Sequence, residues 1–493
     1  MKHLYSFLLS ALVCLSLSAQ NKVSGDSLAA DFHYLVKQLE AAHPDPYTGF
    51  GGKVFFHKQA FNLENELRSQ PHTLQEFWDK SMAFLSFIQD GHTYLFSLAS
   101  KQQQKQSYLP VGFRCIPDGL IVQSLPAAHQ DLLGSLLVGI NGKSMDELLA
   151  RTASLFACEN LYNRYSVFCR NVVRRQFMQQ LLPDLEDTVC FYLRTPDGKD
   201  VTLEQHFMEN EELRKAEKVN LPSWVGCPEE QMAYRFIDKK KEVMMFKVNS
   251  IMARDNFEYM YKHMKGDLLR QMEFYYQNAL KKEMPADTLQ AIRALPSFSG
   301  TFAAMLKEMK KHHSEYLIID LRGNSGGWTP IVLASLYQLY GDKYLQKDMD
   351  TEYYRIVSPL YMNKLEITLE EFNRRYGTDY SFGDYTFSMK EQEDIPLDTL
   401  RRQFIDGCMS SVKEELRAQK GAPVYAPKQV FVVTDERTFS AAFHYAFMLW
   451  KMGATVVGVP SGQAPNTFME QTLFKLPYTG IEGSISNSVQ IFL

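Results

Sequence analysis

The chain has 493 residues, more than one ordinary hydrophobic core supports, which argues for about two to four domains. Hydrophobic residues make up 45% and charged residues 22%, the ordinary balance of a soluble globular protein. The 53 basic and 57 acidic residues leave a formal net charge of -4, so electrostatics give no reason to expect a nucleic-acid or membrane-surface partner.

The first residues read "MKHLYSFLLSALVCLSLSAQN". A short basic start (Lys2, His3) leads into an apolar run from Leu4 to Leu17, too short for a comfortable membrane span, and Ser18-Ala19 suit a signal peptidase. Residues 1–19 are therefore expected to be an export signal cut near Ala19, which places the mature chain in the periplasm, at the cell surface or outside the cell. Lipidation at Cys14 is disfavoured because Val13 stands where a small residue belongs. No later stretch is apolar for long enough to cross a bilayer. The cysteines after the signal are too widely and irregularly spaced for a disulfide scaffold or a zinc site, and buried thiols are expected.

Residues 27–100 read as helices. In "DFHYLVKQLEAAHPDP", Phe32, Leu35, Val36 and Leu39 share a helix face and Pro44 stops the helix. In "PHTLQEFWDKSMAFLSFIQDGHT", Thr73 and Glu76 spell a capping box and Phe77, Phe84, Leu85 and Ile88 a buried stripe. Gly91 is expected to end that helix in the left-handed conformation, which leaves His92 on a loop.

Residues 105–210 read as short strands, "LPVGFRC", "GLIVQSL" and "SLLVGING", broken by turn residues. Asn141-Gly142 is a hairpin-type turn, and Ser144 with Glu147 opens a helix. "DTVCFYLRTPDGKDVTLEQ" predicts a hairpin about Pro196-Asp197-Gly198.

Residues 230–493 alternate between apolar strands and helical stretches. "EVMMFKVNS", "EYLIIDLRG", "QVFVVTD" and "ATVVGVP" predict a buried, largely parallel sheet. Two segments, about 252–295 and 350–420, are too charged to belong to it and are expected as helical insertions outside the sheet.

Ser440 follows "QVFVVT" and opens the apolar helix "AAFHYAFMLWKMG". Serine there is either a helix N-cap or a nucleophile whose oxyanion the helix N-terminus stabilises. The surrounding residues are not G-x-S-x-G, so no nucleophile elbow is implied. "IIDLRGNSGGW" runs a strand into glycines whose N–H groups can face a site without side chains in the way. The Lys-Ser/Thr ending of a phosphate loop is missing, which leaves an oxyanion hole or a tight turn. A serine nucleophile needs a base. His444 stands one helical turn after Ser440, and His92 lies far away in "QDGHT". His444 sits in a core-like apolar stretch, which favours His92. No H-E-x-x-H or similar pairing points to metal.

"DGHT", "LIIDLRGNSGG", "TFSAA" before a helix, and "ATVVGVPSGQAPN", in that order, make the chain resemble the tail-specific, or carboxy-terminal-processing, serine protease family. The resemblance runs from about residue 28 to the end, outside the two insertions. It implies an α+β multidomain fold: an N-terminal helical bundle, a PDZ-like module and a crotonase-like α/β core. It implies a serine endopeptidase acting on peptide or protein, with no metal or organic cofactor. By position, Ser440 is the nucleophile, and the N–H of Ala441 with that of Gly326 or Gly327 forms the oxyanion hole. One branch of the family uses a lysine base; "SGQAPN" contains none, so the tricorn-core-like Ser-His-Glu branch fits, with His92 as base and Glu470 as the acid that orients it. A PDZ-like module implies capture of a chain end by strand addition. The alternative is a non-catalytic ligand- or peptide-binding protein on the same fold, as the retinoid-binding member of the family in the eye illustrates.

Overall fold

The computed structural model describes residues 22–98, 106–221, 231–264, 266–387 and 395–492. The expected export signal and Cys227 lie outside these residues. Cys115, Cys158, Cys169, Cys190 and Cys408 are free thiols. No helix among the described residues is long and apolar enough to cross a membrane.

Three helices open the chain: α1 (Gly25–Ala42), α2 (Lys53–Ser69) and α3 (Leu74–Ser86). Helix α1 buries Leu28, Phe32, Leu35 and Leu39 completely, as the one-face spacing predicts. Thr73 and Glu76 make both bonds of the capping box on α3. The end of α3 differs from expectation. The helix stops at Ser86, and the left-handed residue beyond it is Gln89 (φ 57°), not Gly91. Gly91 is a glycine for another reason, set by what packs on it.

The second region is an antiparallel sheet. Its strands include β1 (Gly112–Ile116), β2 (Gly119–Pro126), β3 (Leu136–Ile140), β4 (Thr188–Arg194) and β5 (Asp200–His206). Strands β4 and β5 form the expected hairpin. Asn141 (φ 47°) and Gly142 (φ 77°) are both left-handed, as a two-residue hairpin turn of the primed type requires. Helix α4 (Met145–Leu155) carries the Ser144–Glu147 capping box, and a short turn leads to α5 (Leu161–Asn171).

The third region is built on the predicted parallel strands. The sheet order is β6 (Met232–Phe236), β7 (Val243–Val248), β8 (Tyr316–Asp320), β9 (Gln429–Thr434) and β10 (Thr455–Gly458). Only β6 is antiparallel to its neighbour. Helices α6 (Pro330–Tyr340) and α7 (Ala441–Lys451) pack on this sheet through Ile331, Leu336, Ala442, Tyr445 and Leu449.

Beyond it lies a second sheet around β11 (Thr467–Lys475) and β12 (Glu482–Phe492). Residues 350–420, expected to be a helical insertion outside the parallel sheet, do lie outside it but supply two strands of this second sheet: Thr351–Ile356 pairs with β12, and Tyr385–Phe387 pairs with Thr351–Ile356. Tyr94–Leu95, just after His92, also pairs with β12. The helical start and the end of the chain share one core, in which Leu28, Phe32 and Leu39 meet Phe474, Leu476, Ile481 and Ile485. Buried Asp31 on α1 accepts the N–H groups of Tyr478 and Thr479 at 2.8 Å each, which locks that junction. His92 is thereby carried to the α/β region.

Candidate active site

Ser440 stands at the junction of the β9 turn and α7 with φ 53° and ψ −126°. Non-glycine residues rarely adopt that conformation, and it persists only where the surroundings over-determine it. The Ser440 side chain makes no capping hydrogen bond. The N-cap reading therefore fails. The expectation that no elbow forms is also corrected: the serine sits on a sharp, strained strand-to-helix turn although its flanks are not glycines. The room that flanking glycines would give comes from another loop. A Cβ on Gly326 (φ 103°) would lie 2.7 Å from both the Ser440 Cβ and the Phe439 carbonyl oxygen, and 2.8 Å from the Ala441 nitrogen.

Several polar contacts hold the turn. Asp435 accepts the Gly323 N–H on both oxygens at 2.9 Å, and the Phe439 N–H donates to the Asn324 carbonyl at 3.0 Å. The Ser461 hydroxyl donates to the Thr438 carbonyl at 2.5 Å. The Ser440 N–H donates to Gln463 Oε1 at 2.5 Å. Gln463 stands inside "SGQAPN", where the sequence shows only that a lysine is missing.

The glycine loop resolves the two oxyanion-hole candidates. The Gly326 N–H is already spent on Asn324 Oδ1 at 2.9 Å, inside the protein. Gly327 (φ 142°) lies against Ile251, and its N–H and that of Ala441 donate no hydrogen bond among the described residues. Those two N–H groups remain as donors for an oxyanion.

His92 is buried, and its ring centroid lies 5.0 Å from that of Phe439, the residue before the serine. Its backbone is pinned on both sides: the N–H donates to Asp90 Oδ1 at 2.8 Å, and the carbonyl accepts from the Ser484 hydroxyl at 2.9 Å. Neither ring nitrogen makes a well-formed hydrogen bond, although the Phe468 backbone approaches the ring closely enough to favour a proton on it. Burial lowers the imidazole's pKa, against the opposing charge of Asp90, so the ring is held neutral as a base must be. His444 packs beneath, with Nδ1 3.3 Å from the Thr329 hydroxyl, and burial together with the charge of His92 brings it down to about 4. The two histidines are therefore neighbours in space.

Glu470, expected to orient His92, is engaged elsewhere. Arg355 holds both of its oxygens in a bidentate pair at 2.6 Å each, and this bond and charge outweigh burial to keep its pKa low. The carboxylates within 4.0 Å of His92 are Asp90 and Glu159, whose Oδ1 and Oε1 lie 3.8 Å and 4.0 Å from Nδ1. Asp90 was legible beside His92 in "QDGHT". Glu159, on the turn between α4 and α5, carries no local signal. Asp90, His92 and Glu159 each bring one possible metal-ligand atom within 4.8 Å of the others. All four carboxylate oxygens already accept hydrogen bonds from the protein.

Gly91 is explained by this packing. A Cβ there would lie 2.6 Å from the Phe439 ring and 3.0 Å from Glu159 Oε1. Gly91→Ala is expected to push Phe439 and Glu159 away from His92, lowering kcat/KM about 100-fold and stability by about 1–3 kcal/mol. Steady-state kinetics and thermal melts check this; a wild-type rate would show that the contact is dispensable.

The model of peptidase family S41 matches residues 291–481. No curated protein matches the chain. Among solved structures, mature CPAF is similar at 14% identity and a TM-score of 0.54, over 95% of this chain and 89% of that one. Mature CPAF complexed with lactacystin is similar at 14% identity and a TM-score of 0.53, over 95% and 90%. At these identities the likeness is one of fold. The photosystem II D1 C-terminal processing protease aligns at 11% identity and a TM-score of 0.38, over 94% and 89%.

Proposed function

We propose that the chain, whose residues 291–481 match the model of peptidase family S41, is a serine-type peptidase acting on peptide or protein, with Ser440 as its nucleophile and His92 as its general base. The observation that carries this reading is the strained backbone of Ser440, whose hydroxyl caps no helix. Strain at a residue with no structural duty is understandable if the turn exists to present the hydroxyl. His92 takes the serine proton as Oγ attacks the carbonyl carbon. The oxyanion develops against the N–H of Ala441, at the start of α7, and that of Gly327, on the glycine loop. The protonated His92 then gives its proton to the leaving amine, and water releases the acyl-enzyme by the same steps in reverse.

Three finer parts of the proposal rest on the sequence resemblance and on the arrangement of the elements. The antiparallel region (β1 to β5) serves as a PDZ-like module that captures a chain end by strand addition, which suits a C-terminal-processing peptidase. The parallel sheet with α6 and α7 is its crotonase-like catalytic core. The enzyme is exported, on the evidence of the basic and apolar first 19 residues.

A fluorophosphonate probe tests the central claim, because it phosphonylates only an activated serine. Stoichiometric labelling is expected, with the adduct on the peptide that contains Ser440. A folded protein that takes no label, or takes it elsewhere, would favour a binding protein on this fold.

A further inference from the structure

Glu159 belongs to the antiparallel region, yet its carboxylate reaches into the other two. Oε1 accepts the Gly91 N–H at 3.2 Å, and Oε2 accepts the Ala464 N–H and the Thr467 hydroxyl at 2.9 Å each. One oxygen thus touches the loop that carries His92, and the other touches the loop that carries Gln463, the partner of the Ser440 N–H. The side chain is 3% exposed. Among the described residues no lysine or arginine lies within ion-pair distance of it, and the one basic side chain there is His92, with Nδ1 4.0 Å from Oε1.

His92 is the complementary half. Both of its ring nitrogens are buried without a well-formed hydrogen bond, the Phe468 backbone approaching the ring only loosely, which leaves room for a better partner. Nδ1 faces two carboxylates of different standing. Asp90 already has a cationic-capable partner: Oδ1 takes the His92 backbone N–H, and Oδ2 takes the Thr93 hydroxyl at 2.5 Å and faces His43 Nε2 at 3.3 Å. Burial would raise its pKa, but the bond and charge of His43 bring it down to about 2, so it stays ionised. Glu159 Oε1, like Asp90 Oδ1, holds a single N–H and keeps a lone pair for Nδ1, but Glu159 has no histidine other than His92 to answer its charge. Burial and then the charge of Asp90 push Glu159 up to about 8. Two carboxyls beside one imidazole with their environments pulling apart is the arrangement by which sites divide acid and base roles.

We propose that Glu159 is the positioning residue of His92, and that the two side chains share one proton whose loss switches the base on. This rests on His92 being the general base. With the proton present, the Glu159 O–H donates to Nδ1, the ring's own proton sits on Nε2, and Nε2 cannot accept from Ser440. When the shared proton leaves to solvent, the ring proton moves to Nδ1 and donates to the Glu159 carboxylate. Nε2 is then free to take the serine proton, and the imidazolium formed during attack lies against Glu159 and Asp90. The separation of 4.0 Å is long for a hydrogen bond, as such contacts often are before substrate closes the site. The other titratable groups facing the pair are Asp90 on the loop of His92, His43 at the end of α1 behind Asp90, and His444 on α7.

The pH profile of kcat/KM tests this on the mature chain, with Ser440→Ala as the blank. Wild type is expected to gain activity as pH rises through the range in which Glu159, pushed up to about 8, gives up its proton. Glu159→Gln is expected to lose at least about 100-fold, because its amide cannot select the tautomer, and to move the rise down by about one pH unit or more. Glu159→Asp should recover part of the rate and keep the rise. A folded Glu159→Gln protein with wild-type rate and profile overturns the proposal while leaving the serine peptidase intact. Absence of fluorophosphonate labelling in wild type would remove both together. Nitrogen-15 shifts of the His92 ring in Ser440→Ala give a readout that needs no change at Glu159. The Nδ1-protonated tautomer should appear above the pair's pKa, and a ring that keeps its proton on Nε2 at every pH overturns the proposal.

Discussion

Ser440→Ala is expected to abolish peptide hydrolysis while the fold survives. The loss in rate is expected to be about 10⁶, the value for removing a nucleophile that acts as one unit with its base. The fold survives because the hydroxyl caps nothing. Removing a true N-cap would cost about 1 kcal/mol, and even that is absent here. Alanine tolerates the left-handed φ of 53° no better and no worse than serine, so the turn keeps its strain and its shape. The measurements are product formation by mass spectrometry and thermal melts; a residual rate near wild type would remove Ser440 from the chemistry.

His92→Ala is expected to lose nearly as much, and the double variant Ser440→Ala/His92→Ala should be little worse than either single change. The competing assignment is His444, on the serine's own helix and near His92 in space. The geometry separates them. His444 Nδ1 is bonded to the Thr329 hydroxyl at 3.3 Å, and with burial bringing the ring down to about 4 it packs as a neutral core residue. His92 has no well-formed hydrogen bond on either nitrogen, whereas His444 lacks one on Nε2 alone, and His92 sits beside two carboxylates that can stabilise an imidazolium. His444→Ala should therefore cost about 1–3 kcal/mol of stability, seen as a lower melting temperature, and leave most of kcat in the folded fraction. A folded His444→Ala protein with no turnover, beside an active His92→Ala protein, would move the base onto α7.

The structures of the capping boxes at Thr73–Glu76 and Ser144–Glu147, the Asn141-Gly142 turn and the four parallel strands were all legible in the sequence. Each is decided by residues within a few positions of one another, through hydrogen bonds to the local backbone or through the side-chain period of strand and helix. The place of Ser440 at the head of α7 was legible for the same reason. Its strained conformation was not, because the space it needs is opened by Gly326 on a different loop.

Tertiary structure alone decided the surroundings of His92. The sequence placed Glu470 after the turn that follows "SGQAPN", but Arg355, on a strand from a segment expected to be a helical insertion, captures it. Gly91 suggested a helix end and proved to be a contact surface for Phe439 and Glu159. Glu159 reaches His92 from a third region. Short-range spacing determines which elements form and where a serine can be presented. Which acid faces a histidine depends on how separate regions pack, and a carboxylate goes to the strongest donor that packing brings within about 3 Å, whatever its distance along the chain.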